Sequence, residues 1–249
     1  MKLLFLDIET APVLAYSWGD KLYEQDLLEI VDDWFVLGVG WKWNHLNAVH
    51  WVGMNDYKGY AKDKKNDYNV VKQAWDLLDE AHVVIAHNGI SFDIKKLNTR
   101  FLLHGLKPPS PYLVLDTKRI AKKHFAFTSN KLDELSRQID KDRKLTHTGK
   151  KLWFDCMAGD KKAWDIMGKY CKQDVILLEK KYQSFLPWID NHPNWNLDGD
   201  RPECCPKCGS GRIQQRGSGF TRTTEFHRYS CNVCGGWFRG GHIKRTNFR

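Results

Sequence analysis

Two carboxylates one residue apart close the apolar run Leu3-Leu4-Phe5-Leu6-Asp7-Ile8-Glu9-Thr10. Alternate side chains on a strand share a face, so Asp7 and Glu9 project together, with Leu3 and Phe5 behind them. A like-charged pair is costly unless a cation sits between its members, and hard oxygen donors favour Mg²⁺ or Mn²⁺. Taken alone, the stretch reads equally well as the acidic end of a solvated strand. Two further acids tip that balance. Asp93 falls in the first turn of a helix that follows Asn88-Gly89-Ile90-Ser91-Phe92, and Asp174 lies one helical turn after Tyr170, on the same face of a long helix. Leu178 continues that stripe, and an ionisable side chain on an otherwise apolar stripe is expensive without a partner. Soft ligands form a second constellation. Cys205-x2-Cys208 and Cys231-x2-Cys234, 22 residues apart, make a four-thiolate pattern suited to tetrahedral zinc.

The elements that must position these groups follow from periodicity. Phe35 to Trp43 and Ala48 to Gly53 read as paired strands with Asn44-His45 in the turn. Apolar spacing predicts a helix over Val70 to Ala81, a strand at His82 to Ala86, and a helix running to His104 with Ser91 as its N-cap. Tyr112 to Leu115 is a further strand ending at Asp116, which is read as a helix N-cap, with support of the neighbouring site as the lesser alternative. Helices follow at Thr117 to Lys123 and Asn130 to Gln138. Asp140 to Lys151 is a basic connection, Asp160 caps Lys161 to Gly168, and Lys169 to Leu186 is the last long helix. Tyr16 to Trp34 reads as loop and short helix whose aromatics pack on the fold, and Lys58 to Asn69 as an exposed loop. Strand, strand, strand, helix, strand, helix, strand, helices implies a mixed α/β sheet whose first three strands are joined directly.

The chain has 249 residues, 42% of them hydrophobic, enough for one medium core and a small second one. No apolar run spans a bilayer, and Met1-Lys2 leads straight into a strand, so the expected location is cytoplasmic, for a protein of a cell or of a virus growing in one. Seven cysteines, an odd number with four in C-x-x-C pairs, argue for metal binding in a reducing compartment. Of the formal net charge of +9, +8 lies beyond Asp200, where 10 Lys and Arg face 2 acids. That tail interleaves Arg212, Arg216, Arg222 and Arg228 with Phe220, Phe226, Tyr229, Trp237 and Phe238, the chemistry of phosphate contact combined with base stacking.

Leu6-Asp7-Ile8-Glu9-Thr10, Asn88-Gly89-Ile90-Ser91-Phe92-Asp93 and Tyr170-Cys171-Lys172-Gln173-Asp174 resemble the three motifs of DnaQ-like 3'-5' exonucleases of the DEDD group, and the tyrosine places the resemblance in the DEDDy subgroup. The resemblance covers residues 1 to 186. It implies an RNase H-like mixed five-stranded sheet flanked by helices, and release of nucleoside 5'-monophosphates with the help of two Mg²⁺ or Mn²⁺ ions. Asp7 would bridge the ions, Glu9 and Asp174 would hold the one that carries the attacking water, Tyr170 would orient that water, and Asp93 would support the second ion through water. Thr10, Asn88 and Lys150 are assigned to substrate; Lys144, His147 and Lys151 are weaker candidates. Phe92 is expected in the core, His87 is not assigned as a ligand, and Cys156 and Cys171 read as ordinary buried thiols.

Residues 203 to 249 resemble a zinc ribbon with one structural Zn²⁺ held by Cys205, Cys208, Cys231 and Cys234, Cys204 standing outside the pattern. Pro187 to Pro202 is linker by composition. The expected activity is that of a stand-alone 3'-5' exonuclease on single-stranded DNA, with no room in this length for a polymerase. A ribonuclease of the same fold is the alternative, and a nucleic-acid-binding or protein-docking factor is the non-enzymatic rival. Nucleic acid is the expected partner and a membrane is not; a polymerase or other replication or repair partner is left open.

Overall fold

Strand β1 (Leu3–Thr10) is buried along almost its whole length, which is why it reads as a continuous apolar run rather than an alternating one. The computed structural model describes residues 1–18, 27–142, 148–197 and 203–247. After β1 come β2 (Leu14–Ser17), β3 (Leu27–Asp32), β4 (Val36–Trp43), β5 (His50–Gly53), helix α1 (Tyr68–Glu80), β6 (Val83–Ala86), α2 (Asp93–Leu103) and β7 (Leu113–Asp116). Helices α3 (Thr117–His124), α4 (Leu132–Ile139), α5 (Lys151–Ala158) and α6 (Lys161–Phe185) follow, then β8 (Ile213–Phe220), β9 (Thr224–Cys231) and β10 (Trp237–Arg245). The chain forms two compact units, one of residues 2–118 with 128–179, the other of residues 119–127 with the chain from 180 onward.

The first unit is an α/β layer structure around a five-stranded mixed sheet of order β5-β4-β1-β6-β7, antiparallel from β5 to β1 and parallel from β1 to β7. This is the RNase H-like arrangement expected. Leu4, Leu6 and Ile8 share a core with Val70, Val71, Ala74, Leu77 and Leu78 of α1 and with Leu97 and Phe101 of α2. Asp7 and Glu9 therefore lie on the opposite face, where α6 crosses.

Several local expectations need correction. Residues 14–32 hold no helix among the described positions but a two-stranded ribbon, β2 with β3. Tyr16 and Trp18 are 62% and 82% exposed rather than packed, because a two-stranded ribbon here covers neither face. Helix α5 begins where the expected basic connection ends, on a stretch to which the sequence pattern assigns no element: Leu152 and Cys156, its buried residues, are too few to stand out in eight. Helix α6 is continuous through Gly168, whose missing Cβ would lie 2.8 Å from Trp51 Cδ1, so this glycine serves close packing and not a helix end. Asp160 does cap α6, its Oδ1 accepting from Lys162 N at 2.8 Å and Ala163 N at 3.4 Å.

The Lys58 to Asn69 segment is not simply a solvated loop. Asp67 is wholly buried; its carboxylate accepts from Val36 N at 2.8 Å, and it pairs with the Arg100 guanidinium and with His104 Nε2 at 2.6 Å. Asp67→Ala leaves a largely buried guanidinium and a strand N–H without their acceptor, so the expected loss is about 3–5 kcal/mol. Denaturant unfolding measures it, and a loss under about 1 kcal/mol would contradict the network's structural role.

In the second unit β10-β9-β8 form an antiparallel sheet. Asn196 brackets Cys204, donating from Nδ2 to its carbonyl and accepting from its N–H, both at 2.8 Å. Trp195 Nε1 donates to Lys207 O at 3.0 Å, and Lys207 Nζ donates to Pro187 O. Residues 187–197 are thus tied to the segment that carries Cys205 and Cys208. Residues 198–202 of the predicted linker lie outside the described positions.

Candidate functional site

Strand pairing explains why β1 can present its acids. Parallel pairing with β6 covers only Leu3–Phe5, since β6 ends at Ala86 and the chain turns away. The strand edge beyond is taken up by Asp93, whose Oδ1 accepts from Ile8 N at 3.2 Å, between the two acids of the strand. Asp93 opens α2, so its carboxylate sits at the helix N-terminus. Ser91 is not the cap; Phe92 occupies that position and is 38% exposed, correcting its expected place in the core. The turn before it is tight. Asn88 takes φ +70, a conformation Asn tolerates, and a Cβ on Gly89 would lie 2.4 Å from Ala86 Cβ.

Asp116 holds this turn. Its Oδ1 accepts from Asn88 N and from Lys118 N, each at 3.0 Å, and Oδ2 from Ile90 N at 3.3 Å. It therefore caps α3 as read from the sequence, and in addition it anchors the loop leading to Asp93. His87 Nδ1 and Nε2 lie 2.9 Å from Thr117 Oγ1 and from Asn130 O respectively.

Across the sheet face, α6 brings Cys171, Tyr170 and Asp174. One carboxylate oxygen each of Asp7 and Glu9, and the Cys171 sulfur, lie within 4.8 Å of one another. Asp174 is buried, and with Asp7 it lines a cleft of about 370 Å³ that also holds His87, Lys118, Lys131, Leu132 and Asp133. Trp153 of α5 donates from Nε1 to Glu9 Oε2 at 3.1 Å and meets Tyr170 edge-on, ring centres 6.1 Å apart. Asp93 joins this group through the backbone N–H of Ile8, between Asp7 and Glu9.

Sequence reasoning missed Trp153, Lys118 and Lys131. Lys118 stands two residues after Asp116 and Lys131 is the second residue of the predicted fourth helix, but nothing in one dimension places either beside Asp7. The assigned substrate residues fare differently. Thr10 ends β1 at a register shift, half-buried, and Asn88 shapes the turn, whereas Lys150 is exposed before α5. Lys144 and His147 lie outside the described residues. Arg212, Arg216 and Arg222 are exposed in the second unit; Arg228 is exposed too, its guanidinium over the Trp237 ring at 5.1 Å.

A family model of the RNase_H superfamily matches residues 40–185, more than half of the chain. The chain belongs to the RNase_H superfamily. It is also similar to a DNA polymerase III PolC-type protein of Ureaplasma parvum serovar 3, 34% identical over 85 residues, which are 33% of this chain and 5% of that relative. The chain thus spans a small part of that relative's length. The RNase_H superfamily match contains Asp93, Tyr170 and Asp174 and begins at Gly40, the register partner of Asp7. Asp7 and Glu9 precede it and enter the site through strand pairing.

The second constellation in this RNase_H superfamily chain is also assembled. Cys205 Sγ lies 3.7 Å from Cys234 Sγ and Cys208 Sγ 3.6 Å from Cys231 Sγ, and all four sulfurs are mutually within 4.8 Å. A tetrahedron with Zn–S bonds of about 2.3 Å has edges of about 3.8 Å, so the four sulfurs fit zinc. Val233 N and Gly236 N donate to Cys231 Sγ and Cys234 Sγ, each at 3.4 Å. Cys204 is buried outside the cluster. No helix among the described residues is long and apolar enough to cross a membrane.

Burial raises Asp93 to about 7, against hydrogen bonds from its own N–H and that of Ile8, and Asp116 pushes it up further. A raised carboxyl favours the folded state below its unfolded value near 4, and that contribution is lost as pH rises through about 7. A cation held by Asp93 would compete with the proton. Divalent-metal affinity should therefore climb up to about tenfold per pH unit below 7 and level off above it, while the metal-free chain loses stability over the same window. Mn²⁺ titrations and denaturant melts from about pH 5 to 8 check both slopes. A flat affinity profile would remove Asp93 from the metal-binding set.

Proposed function

We propose that this chain is a metal-dependent 3'-5' exonuclease that acts on single-stranded DNA and releases nucleoside 5'-monophosphates. The observation that carries the reading is the convergence of Asp7 and Asp174 with Lys118 and Lys131 in one cleft, flanked by Glu9 and by Asp93 on the backbone of β1. Acids to hold cations beside ammonium groups to receive a phosphate are what phosphodiester hydrolysis requires. Two divalent cations held by Asp7, Glu9, Asp93 and Asp174 would supply the positive charge that stabilises the attacking and leaving oxygens. The protein's own groups do the rest. Trp153 restrains Glu9, Lys118 and Lys131 hold the scissile phosphate against the acids, and Tyr170 orients the attacking water with its phenol.

The DEDDy assignment rests on the Tyr170-x-x-x-Asp174 pair within the matched family segment. A replication or repair role is supported by the name of the PolC-type relative alone. In this reading residues 1–186 serve as the exonuclease module, 187–202 lead from it with 187–197 tied to the cysteine segment, and 203–249 are a zinc ribbon that grips single strands through Arg212, Arg216, Arg222 and Arg228.

Cleavage of single and duplex DNA and RNA strands, labelled at either end and supplied with Mg²⁺ or Mn²⁺, tests the proposal. The expected result on single-stranded DNA is immediate release of a 3' label as mononucleotide and a descending ladder from a 5' label. Internal cuts, release from the 5' end, or no cleavage with either metal would overturn it; faster cleavage of RNA would transfer the reading to an exoribonuclease. Tyr170→Phe should lower turnover about ten- to a thousandfold with Mn²⁺ affinity nearly unchanged, the signature of a positioning group rather than a ligand.

A further inference from the structure

Helix α6 presses a sulfur against the metal-site strand. Cys171 is fully buried, its Sγ 3.4 Å from Asp7 Oδ2 and 3.8 Å from Asp7 O. A carboxylate only accepts hydrogen bonds, so the thiol S–H is the donor. Asp7 is half-buried at the mouth of the cleft, with Glu9 on the same strand face.

The neighbouring strand is shaped to admit the sulfur. Gly40 of β4 is paired with Asp7 in register, and a Cβ built there would lie 2.6 Å from Cys171 Sγ and 3.3 Å from Val175 Cγ2. Gly40 is not among the residues with positive φ, so its backbone does not demand glycine. The demand is for space. A side chain at this position must displace the sulfur, by turning it or by moving α6, and takes it out of reach of Asp7.

We propose that Cys171 is a positioning residue: its thiol holds the Asp7 carboxylate in the orientation that receives the cation, and Gly40 is the clearance that lets it do so. This rests on the reading of Asp7 as a metal-holding carboxylate and adds to that reading how the carboxylate is aimed. A thiol suits the task because it is a weak donor, which restrains Asp7 without competing strongly for the lone pairs a cation needs.

The test uses the full chain. Cys171→Ala should weaken Mn²⁺ binding about tenfold, at the low end for a hydrogen bond to a charged group, and lower kcat by a similar factor with the oligonucleotide KM unchanged. Cys171→Ser, which keeps a donor at a shorter reach, should recover most of both losses. Gly40→Ala should reproduce the Ala phenotype. Unchanged Mn²⁺ affinity in a folded Cys171→Ala variant, or Cys171→Ser no better than Cys171→Ala, overturns the proposal. A strong preference of the wild type for Cd²⁺ over Mn²⁺ that is lost in Cys171→Ser also overturns it, by making the sulfur a ligand.

The infrared S–H stretch gives a readout free of both metal and cleavage. The difference spectrum between the wild type and Cys171→Ala should contain a red-shifted band that moves to higher frequency in Asp7→Ala. A band that ignores Asp7 rejects the hydrogen bond. A wild type that shows the band and binds Mn²⁺, yet cleaves nothing, instead rejects the exonuclease reading and leaves the positioning role supported.

Discussion

Asp7→Ala is expected to lower the proposed metal-dependent cleavage by at least about a thousandfold, since several kcal/mol of charge stabilisation would depend on the cations it is proposed to hold. The chain should stay folded. Asp7 is only half-buried, while the apolar residues that precede it on β1 carry the packing. Removing one of two facing acids also relieves their repulsion, so in metal-free buffer the variant should be as stable as the wild type or slightly more so. Cleavage rates with Mg²⁺ and thermal unfolding with and without metal measure the two halves of this expectation. Wild-type activity in a well-folded Asp7→Ala chain would remove Asp7 from the site, and with it the basis for aiming by Cys171.

Stripping zinc, or replacing Cys231 with Ser, should unfold the sheet of the second unit. Among the described residues of β8, β9 and β10, only Phe226 and Cys231 are buried apolar side chains, too small a core to hold three strands. Metal–thiolate binding in small modules supplies about 10–16 kcal/mol, and its loss leaves little to offset the chain entropy. Metal analysis should find about one zinc per wild-type chain and none in the variant, and the sheet's amide resonances should collapse. The proposed grip on nucleic acid should go with it. Affinity for long single strands should fall, and the dependence of log affinity on log salt should flatten by roughly 0.7 for each phosphate no longer neutralised. Replacing Arg212, Arg216, Arg222 and Arg228 with Gln should flatten the slope while zinc content stays at one. If salt slope and affinity survive both changes, the basic module binds something other than nucleic acid, and a protein-docking role is favoured.

What the sequence by itself determined is whatever a single element's geometry carries. Strand period two puts Asp7 beside Glu9, helical spacing puts Tyr170 and Asp174 on one stripe, and two C-x-x-C turns present two sulfurs each. The mixed sheet followed from element order, because directly joined strands pair antiparallel and helix-linked ones pair parallel. Local pattern failed where burial depends on a distant partner. Asp67 sits in a polar stretch, yet it is buried because Arg100 of α2 and His104 just past its end reach it, and Phe92 in an apolar motif is exposed because the turn at Asn88 and Gly89 faces it outward.

Only the tertiary structure decided the surroundings of Asp7. Trp153, Cys171, Lys118 and Lys131 come from four separate parts of the chain, more than 100 residues from β1. They meet near it because β1 lies between β4 and β6 and α6 crosses the face that carries the acids. Spacing along the chain encodes which residues share an element's face. Which faces then meet is decided by strand order and by the one packing that lets Gly40 admit a sulfur, and neither is written in any local repeat.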